Sequence, residues 1–175
     1  MQPRIDYAKA AVGVRAAMKS LEDHVRHADV DRGLIELVKL RASLINGCSY
    51  CVDMHTKIAR SLGETEQRLY AVSVWRETPF YSERERAALA WTEAVTLVNV
   101  GHVPDDVYDL ARQHFSEKEL IDLTLAIVAI NSWNRLAIAF KTVPGTFQVG
   151  APPSAEAGAQ GQLPSRVTEG SGAKA

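Results

Sequence analysis

The helical signals between Tyr7 and Lys141 are the feature that most limits what this chain can fold into. Apolar residues recur there at three- and four-residue spacing, and no stretch alternates apolar and polar side chains as a strand does. Pro and Gly, which interrupt helices, are scarce before Pro144. Two Ser-x-x-Glu capping boxes, at Ser82 and Ser116, mark places where helices begin. Together these signals predict an all-α protein built as one compact helical domain.

The boundaries of most predicted helices come from residues with a known capping or breaking role. Asp31 is an N-cap candidate, and Asn46 with Gly47 ends the helix that Asp31 begins. Gly63 stops the next helix. In chain order, the predicted helices cover about residues 7–27, 32–46, 48–62, 65–74, 83–97, 105–115 and 117–141.

The last predicted helix contains an unusual apolar stretch. Residues 123–130 read Leu-Thr-Leu-Ala-Ile-Val-Ala-Ile and are apolar nearly all the way round a helix. Such a segment is buried on all sides, either in a core or in a subunit interface. Because the domain is small, we expect the chain to form an oligomer.

The composition changes after Val143. Residues 144–175 hold four of the seven Pro and six of the eleven Gly, with many Ala and Ser and no aromatic residue after Phe147. This segment offers too little apolar area to offset the entropy of ordering it. We therefore predict a helical domain over residues 1–143 and a disordered Pro/Gly/Ala-rich tail over residues 144–175.

Charge and hydropathy narrow the classes of partner. The formal net charge is -1, which gives no electrostatic reason to expect nucleic acid or an anionic membrane. No run of eighteen apolar residues predicts a membrane-spanning helix, and the charged N-terminal region lacks the apolar core of a signal peptide. We expect a cytoplasmic protein, where a pair of cysteines is more often catalytic or metal-binding than a structural crosslink.

The two cysteines of the chain form a Cys-x-x-Cys motif that carries the chemical signal. Cys48 and Cys51 are followed by His55, and Glu36 lies twelve residues before Cys48. At about 100° per residue, a helix places both thiols and the imidazole on one face, together with apolar residues. A dithiol beside a base and partly shielded from water is suited to redox chemistry.

Two features could supply the reactive thiolate. Cys48 and Cys51 lie in the first turn of a helix, where free N–H groups and the macrodipole favour an anion. His55 is four residues after Cys51, and Glu36 could orient the imidazole or accept the proton itself. One thiolate could then attack a peroxide and become a sulfenic acid, which the second thiol would convert to a disulfide. The helix terminus favours Cys48 as the attacking thiol, whereas His55 favours Cys51. We prefer Cys51, because His55 can also receive the proton that the thiol loses.

The motif has three alternative uses. Attachment of c-type haem needs a histidine directly after the second cysteine, and Val52 stands there. Zinc could be held by the two thiolates and His55, with Glu36 as a fourth ligand. However, these three ligands lie within one and a half turns of one helix, which leaves little room for tetrahedral geometry. A purely structural pair of cysteines is the third alternative.

The pattern Glu36-x11-Cys48-x2-Cys51-x3-His55 resembles the signature of alkylhydroperoxidase D-like proteins, within the carboxymuconolactone decarboxylase superfamily. The resemblance extends over roughly Leu34 to Phe140 and leaves the tail outside. The further segments that carry it are residues 54–57 (MHTK), 63–65 (GET), 75–80 (WRETPF), 85–93 (ERAALAWTE) and 131–135 (NSWNR).

The resemblance implies an all-helical fold that assembles into trimers or hexamers. It also implies that Cys51 attacks the peroxide, Cys48 resolves the sulfenic acid, and Glu36 and His55 relay the proton. No bound cofactor or metal is implied, and the disulfide would be reduced by an external dithiol, in the best-known members a lipoyl-bearing protein. Those members have a histidine directly before the second cysteine, where this chain has Tyr50.

The sequence therefore predicts a thiol-dependent peroxidase that reduces hydrogen peroxide or organic hydroperoxides. One alternative is an oligomer without turnover, in which the dithiol serves as a redox sensor or the protein is a binding scaffold. Another is a lyase that uses Glu36 and His55 on a lactone, although the decarboxylase branch of the superfamily typically lacks the two cysteines.

Overall fold

A computed structural model describes residues 2–150 of the chain, and this part is built from helices alone. It contains nine α-helices and one 3-10 helix, and no strand occurs in the described range. The α-helices are α1 (Tyr7–Ala10), α2 (Val12–Arg26), α3 (Arg32–Asn46), α4 (Ser49–Ser61), α5 (Glu66–Ala71), α6 (Glu83–Thr96), α7 (Val98–Gly101), α8 (Asp105–His114) and α9 (Glu117–Ala139), and the 3-10 helix spans Val72–Glu77. The predicted all-α class is confirmed for these residues.

Local sequence signals account for the ends of the main helices. The Asp31 side chain accepts a hydrogen bond from the Leu34 N–H at 3.0 Å, which satisfies a free donor at the start of α3. Gly47 ends α3 in the left-handed region, with φ of 70°. Both predicted capping boxes form, at Ser82 for α6 and at Ser116 for α9.

Two helices, α3 and α9, organise the packing. α3 contacts α4, α6 and α9, and α9 also contacts α2, α4, α6 and α8. One apolar core lies between α2, α3, α6, α8 and α9, and a second joins α3 and α6 to the segment from α4 to the 3-10 helix. Cys48 and Cys51 belong to a third and smaller cluster, between α3, α4 and α9.

Tertiary contacts changed two of the predicted helices. The helix predicted over residues 7–27 is interrupted at Ala11, because α1 turns aside so that Tyr7 can pack on Phe140 after α9. The helix predicted over residues 65–74 is α5 followed by the 3-10 helix, in which the buried Trp75 donates its indole N–H to Glu93 at 2.8 Å. The four-residue helix α7 was not predicted.

The apolar stretch of α9 is buried on one side only within the single chain. Leu123, Ile127 and Ile130 are fully buried, whereas Val128 is 45% exposed and Ile121, just before the stretch, is 67% exposed. Burial on all sides is therefore wrong for the single chain, and a subunit interface at this face stays a prediction. By length and composition alone, α9 could cross a membrane. This is weak evidence for a membrane-spanning helix, because a helix that forms part of a protein core passes the same test.

The first residues of the predicted tail contact the helical body. The Gly145 N–H donates to Asp53 Oδ2 at 3.0 Å, and Lys57 Nζ donates to the Phe147 carbonyl at 3.1 Å, so Gly145 and Phe147 contact α4. A tail that makes no contact therefore cannot begin at Pro144. The rest of the predicted tail, residues 151–175, lies outside the described residues.

Candidate active site

The sharp corner between α3 and α4 positions both cysteines at the start of α4. Gly47 reverses the chain in the left-handed region, and the Cys48 N–H donates to the Ser43 carbonyl at 2.9 Å. Cys48 then becomes the N-cap of α4, and its sulfur accepts the Cys51 N–H at 3.4 Å. Sulfur thus takes the role that an oxygen usually has at a helix N-cap, where negative charge is favoured.

Cys48 and Cys51 form a disulfide, and the protein buries it. The two Cα atoms are 5.4 Å apart, within the range that a disulfide spans. Each cysteine is only 1% exposed. The two thiols are therefore in position for a dithiol/disulfide cycle, although solvent does not reach them directly in this state.

Glu36 and His55 meet across the interface between α3 and α4. Glu36 Oε2 lies 2.7 Å from His55 Nδ1, and both side chains are buried. With the proton on Nδ1, the imidazole donates to the carboxylate, which fixes the ring orientation and leaves Nε2 as an acceptor. The structure thus brings together two of the residues that the sequence analysis singled out.

His55 Nε2 is the unusual atom of the site. Across residues 2–150 it is the one buried side-chain nitrogen or oxygen atom that has no hydrogen-bond partner. Buried polar atoms are normally paired, because leaving one unpaired is unfavourable, and exceptions often mark chemistry. His55 lies one helical turn after Cys51 on the same helix, so a free acceptor is present close to the disulfide.

The surroundings of the disulfide are mostly apolar. Ala42 of α3 and Ile130 and Ala137 of α9 are buried against the cysteines, and Tyr50 and Trp133 pack there with part of their surface exposed. Apolar walls exclude water and strengthen the electrostatic interactions inside them.

Tyr50, between the two cysteines, lies at the edge of the apolar cluster and interacts with charged side chains. Burial raises the pKa of its phenol, and the nearby Asp53 carboxylate raises it further, while Arg15 and Lys57 act in the opposite direction. Burial likewise raises the pKa of Tyr7, and Tyr50 adds to that shift. Both phenols therefore stay protonated at neutral pH.

A partly buried amide network next to the cysteines was missed by the sequence analysis. Asn46 Nδ2 donates to Asn131 Oδ1 at 2.9 Å and to Asn134 Oδ1 at 2.8 Å, and Asn134 Nδ2 lies 3.2 Å from Ser43 Oγ. These bonds tie the end of α3, just before Cys48, to the middle of α9. The signal available in the sequence was the pair of asparagines inside an otherwise apolar helix, since buried amides need partners.

The described residues offer no ligand set for the zinc alternative. No group of three or more His, Cys, Asp or Glu side chains converges there as metal ligands do. Cys48 and Cys51 are joined in a disulfide, and Glu36 is hydrogen-bonded to His55 Nδ1, so these groups do not converge on a common point.

Comparison with sequence families and known proteins places these features in context. Residues 12–94 match the sequence model of the carboxymuconolactone decarboxylase family. The uncharacterized protein YdfG of Bacillus subtilis is 43% identical over 139 residues, which is 79% of this chain and 95% of that protein.

Solved structures show the same fold. A protein of unknown function from Agrobacterium tumefaciens, for which an antioxidant-defence role of the AhpD kind has been suggested, superposes with a TM-score of 0.80 at 46% identity, over 82% of this chain and 98% of that one. The debrominase Bmp8 in its apo form gives a TM-score of 0.70 at 22% identity, over 77% of this chain and 73% of its own. At that identity the likeness to Bmp8 concerns the fold alone.

Proposed function

The chain belongs to the carboxymuconolactone decarboxylase family as an alkylhydroperoxidase D-like member, and from that premise we propose that it is a thiol-dependent peroxidase. Membership suggests an antioxidant or peroxidase-related enzyme. In the proposed cycle, Cys48 and Cys51 alternate between dithiol and disulfide while the protein reduces hydrogen peroxide or an organic hydroperoxide. The observation that carries it is the buried, unpartnered Nε2 of His55, held by Glu36 one turn away from Cys51.

The reaction begins with both cysteines reduced. His55 Nε2 accepts the proton of the Cys51 thiol, and the thiolate attacks the terminal oxygen of the hydroperoxide. The O–O bond breaks, the leaving alkoxide takes the proton back from the imidazole, and Cys51 becomes a sulfenic acid. Glu36 holds the ring through Nδ1 and stabilises the imidazolium while the proton is on Nε2.

The second half of the cycle uses Cys48. Its thiolate attacks the Cys51 sulfur, water leaves, and the Cys48–Cys51 disulfide forms, so that one hydroperoxide and two thiols give one alcohol, one water and one disulfide. The helix N-terminus and the Cys51 N–H favour negative charge on the Cys48 sulfur. That preference suits a thiol whose task is to resolve the sulfenic acid.

An external dithiol then restores the two thiols. The proposed source is a reducing partner protein, with a lipoyl-bearing protein as the first candidate. The proposed enzyme needs no bound cofactor, because the electrons pass through sulfur alone, and it works as a homo-oligomer in the cytoplasm.

A redox switch without turnover is the second candidate. The burial of both sulfurs favours it. A catalyst must expose its disulfide to a reductant in every cycle, whereas a switch needs to do so only once. A lactone lyase that uses Glu36 and His55 leaves the disulfide without a role. The fold does not decide among these functions, since Bmp8, a debrominase, shares it.

Hydroperoxide consumption driven by a dithiol separates these candidates. We expect catalytic turnover of hydrogen peroxide or an alkyl hydroperoxide with dihydrolipoamide, and the same assay with thioredoxin tests the choice of reductant. The Cys51→Ser variant should be inactive. A protein that is oxidised once and then fails to turn over with either dithiol would instead be a switch.

A further inference from the structure

The two cysteines are held in place by different parts of the fold. Cys51 lies inside α4, where the helical backbone fixes it. Cys48 is the N-cap and has an extended backbone, with φ of -84° and ψ of 93°, so α4 alone does not fix its position. The corner between α3 and α4, residues 43–48, holds it instead. This corner therefore decides whether the two sulfurs stay within reach of each other once the disulfide is open.

The backbone bonds of the corner are local to the end of α3. The Gly47 N–H donates to the Leu44 carbonyl at 3.2 Å, and the Cys48 N–H donates to the Ser43 carbonyl at 2.9 Å. They close the helix as in other helices that end at a left-handed glycine. Neither bond joins the corner to another helix, so side chains have to supply that connection.

The amide network supplies it. Asn46 Nδ2 donates both of its hydrogens, one to Asn131 Oδ1 at 2.9 Å and one to Asn134 Oδ1 at 2.8 Å. Asn134 Nδ2 donates to Ser43 Oγ at 3.2 Å, and that hydroxyl donates to the Lys39 carbonyl at 2.7 Å. Asn134 and Ser43 are fully buried. A buried network whose members are all paired favours one arrangement of the helices that carry it.

The same face of α9 contacts both the corner and the cysteines. Ile130 and Ala137 are buried in the cluster of the cysteines, and Asn134 is four residues after the first and three before the second. Residues at this spacing lie on one face of a helix. Asn134 thus fixes the corner relative to the helix that also packs on the disulfide.

We propose that Asn46 and Asn134 are positioning residues for Cys48, and that their network keeps the Cys48 sulfur beside Cys51 when the two are not bonded. They touch neither the peroxide nor the reacting atoms and act only through the corner. The inference rests on the proposed function in that the two cysteines cycle between dithiol and disulfide. It goes beyond that function by naming the residues that set how readily the disulfide closes.

The step that this positioning favours is the closure of the disulfide. The Cys48 thiolate forms a bond to the sulfur of the Cys51 sulfenic acid, the S–O bond breaks, and the leaving hydroxide takes up a proton to become water. Closure is fast only when the two sulfurs are held close and aligned.

The first test measures the equilibrium between dithiol and disulfide with no peroxide present. Protein is equilibrated with reduced and oxidised glutathione at set ratios, quenched with an alkylating agent, and weighed by mass spectrometry to count free thiols. Two glutathione thiols become one glutathione disulfide for each Cys48–Cys51 bond that is reduced. Because no hydroperoxide takes part, this readout is independent of peroxidase activity.

We expect Asn134→Ala and Asn46→Asp each to lower the equilibrium constant for disulfide formation by roughly tenfold, the size of effect that losing one or two hydrogen bonds can have. Each variant frees the corner in the dithiol form, so the Cys48 sulfur spends less time beside Cys51. Asn46→Asp keeps the shape of the side chain but replaces the donor of both bonds by an acceptor. A role in packing alone would leave that variant close to the unaltered protein.

Two variants on α9 serve as controls. Thr124 lies about 15 Å along the helix from Asn134 and accepts the Trp91 indole N–H at 2.9 Å. Thr124→Val removes this bond between α6 and α9, so it should lower stability without changing the equilibrium constant. The Ser132 hydroxyl donates to the Val128 carbonyl of its own helix at 2.9 Å, and Ser132→Ala should change neither quantity.

The second test follows closure of the disulfide directly. Reduced protein is treated with one equivalent of hydroperoxide and a dimedone-type trap, so that the sulfenic acid on Cys51 either closes to the disulfide or is labelled. We expect Asn134→Ala and Asn46→Asp to raise the labelled fraction, whereas the rate of hydroperoxide loss stays close to normal. General damage to the site would slow the first step as well.

An unchanged equilibrium constant in both Asn134→Ala and Asn46→Asp, each with a native circular dichroism spectrum, would overturn the proposal. An equal fall in Thr124→Val would do the same, because the equilibrium would then follow overall stability and not the network. Should Asn134→Ala fail to fold, Asn46→Asp and Asn46→Ala decide the matter alone, since Asn46 is partly exposed. A protein that does not react with hydroperoxide would refute the proposed function, and the glutathione equilibrium would still decide the role of the network.

Discussion

The chemistry of a single imidazole is central to the site. His55 has one nitrogen 2.7 Å from the Glu36 carboxylate and one nitrogen without a partner, and both groups are buried. In such surroundings the carboxylate fixes which nitrogen can accept a proton. An imidazole oriented in this way can take a proton from a neighbouring thiol and return it to a leaving group without moving.

Removing either member of this pair should therefore slow the chemistry. We expect Glu36→Gln and His55→Gln each to lower kcat/KM for hydroperoxide by roughly 10²–10⁴-fold, the usual contribution of a positioned general base. Steady-state kinetics with saturating reductant measures the effect, and circular dichroism checks the fold. Glu66→Gln, at an exposed position of α5, is the control and should keep the normal rate. Near-normal rates in both site variants would mean that the helix terminus alone activates the thiolate.

Residue spacing explains why part of the site could be predicted. Cys48, Cys51 and His55 lie within eight residues of one helix, so their proximity follows from helix geometry. The contact of Glu36 with His55 depends on how α3 packs on α4, which the resemblance implied and local sequence alone does not determine. The amides of Asn46 and Asn134 were missed because their bonds cross from α3 to α9, and nothing in the local pattern specifies that pairing.

At the scale of helices, cap residues were reliable guides. Each predicted cap forms because its hydrogen bonds join residues three apart in the sequence, whatever the rest of the fold does. The break at Ala11 and the 3-10 helix were missed for the opposite reason. Both depend on distant partners, Phe140 for Tyr7 and Glu93 for Trp75.

The capping box of α9 gives a prediction about acid stability. The Ser116 N–H, the Arg84 guanidinium and the Ser116 hydroxyl lower the pKa of Glu119 from 4.5 to about 2. A carboxyl whose pKa is depressed in the folded state stabilises the protein above its unfolded pKa, and that contribution is lost as the pH falls through the folded value. Glu119→Gln should therefore be less stable than the unaltered protein at pH 6, and the difference should shrink as the pH falls towards 2.

Chemical denaturation at a series of pH values measures this difference in free energy of unfolding. Glu83→Gln is a suitable control, because Glu83 lies exposed in the first turn of α6 and makes none of these bonds. A difference between Glu119→Gln and the unaltered protein that stays constant from pH 6 to pH 2 would contradict the assigned role of the carboxylate.

At the scale of the whole molecule, the apolar surface of α9 calls for a partner. Ile121 and Val128 lie on its exposed side, and Leu97, Val98 and Val100 are exposed around α7. We predict that the protein is a homo-oligomer, a trimer or hexamer, that covers this surface. Sedimentation at micromolar concentration should show the oligomer, and Val128→Asp should shift it towards a monomer by placing a charge in the interface. Val12→Asp, at an exposed position of α2, should leave the assembly unchanged, and a monomeric unaltered protein would refute the prediction.

The two parts of the C-terminal region should behave differently on truncation. Removing residues 151–175 should leave the free energy of unfolding unchanged, since their composition gives little to pack. Removing residues 144–175 also removes the bonds of Gly145 to Asp53 and of Lys57 to Phe147, at about 0.5–1.5 kcal/mol for each hydrogen bond. Thermal and denaturant melts of the two truncated forms measure the contrast. Equal stability of both would show that the contacts with α4 contribute nothing.

The measurement that tests the central claim most directly is the location of the first oxidation product. Reduced Cys48→Ser protein is treated with one equivalent of hydroperoxide and a dimedone-type trap, and mass spectrometry locates the label. The account predicts a sulfenic acid on Cys51 after one turnover and then no further reaction, because no second thiol can form the disulfide. The Cys51→Ser protein should show no reaction with the hydroperoxide on the same timescale. A label on Cys48 in the Cys51→Ser protein, with none on Cys51 in the other, would contradict the account and make the helix N-terminus, not His55, the element that selects the nucleophile.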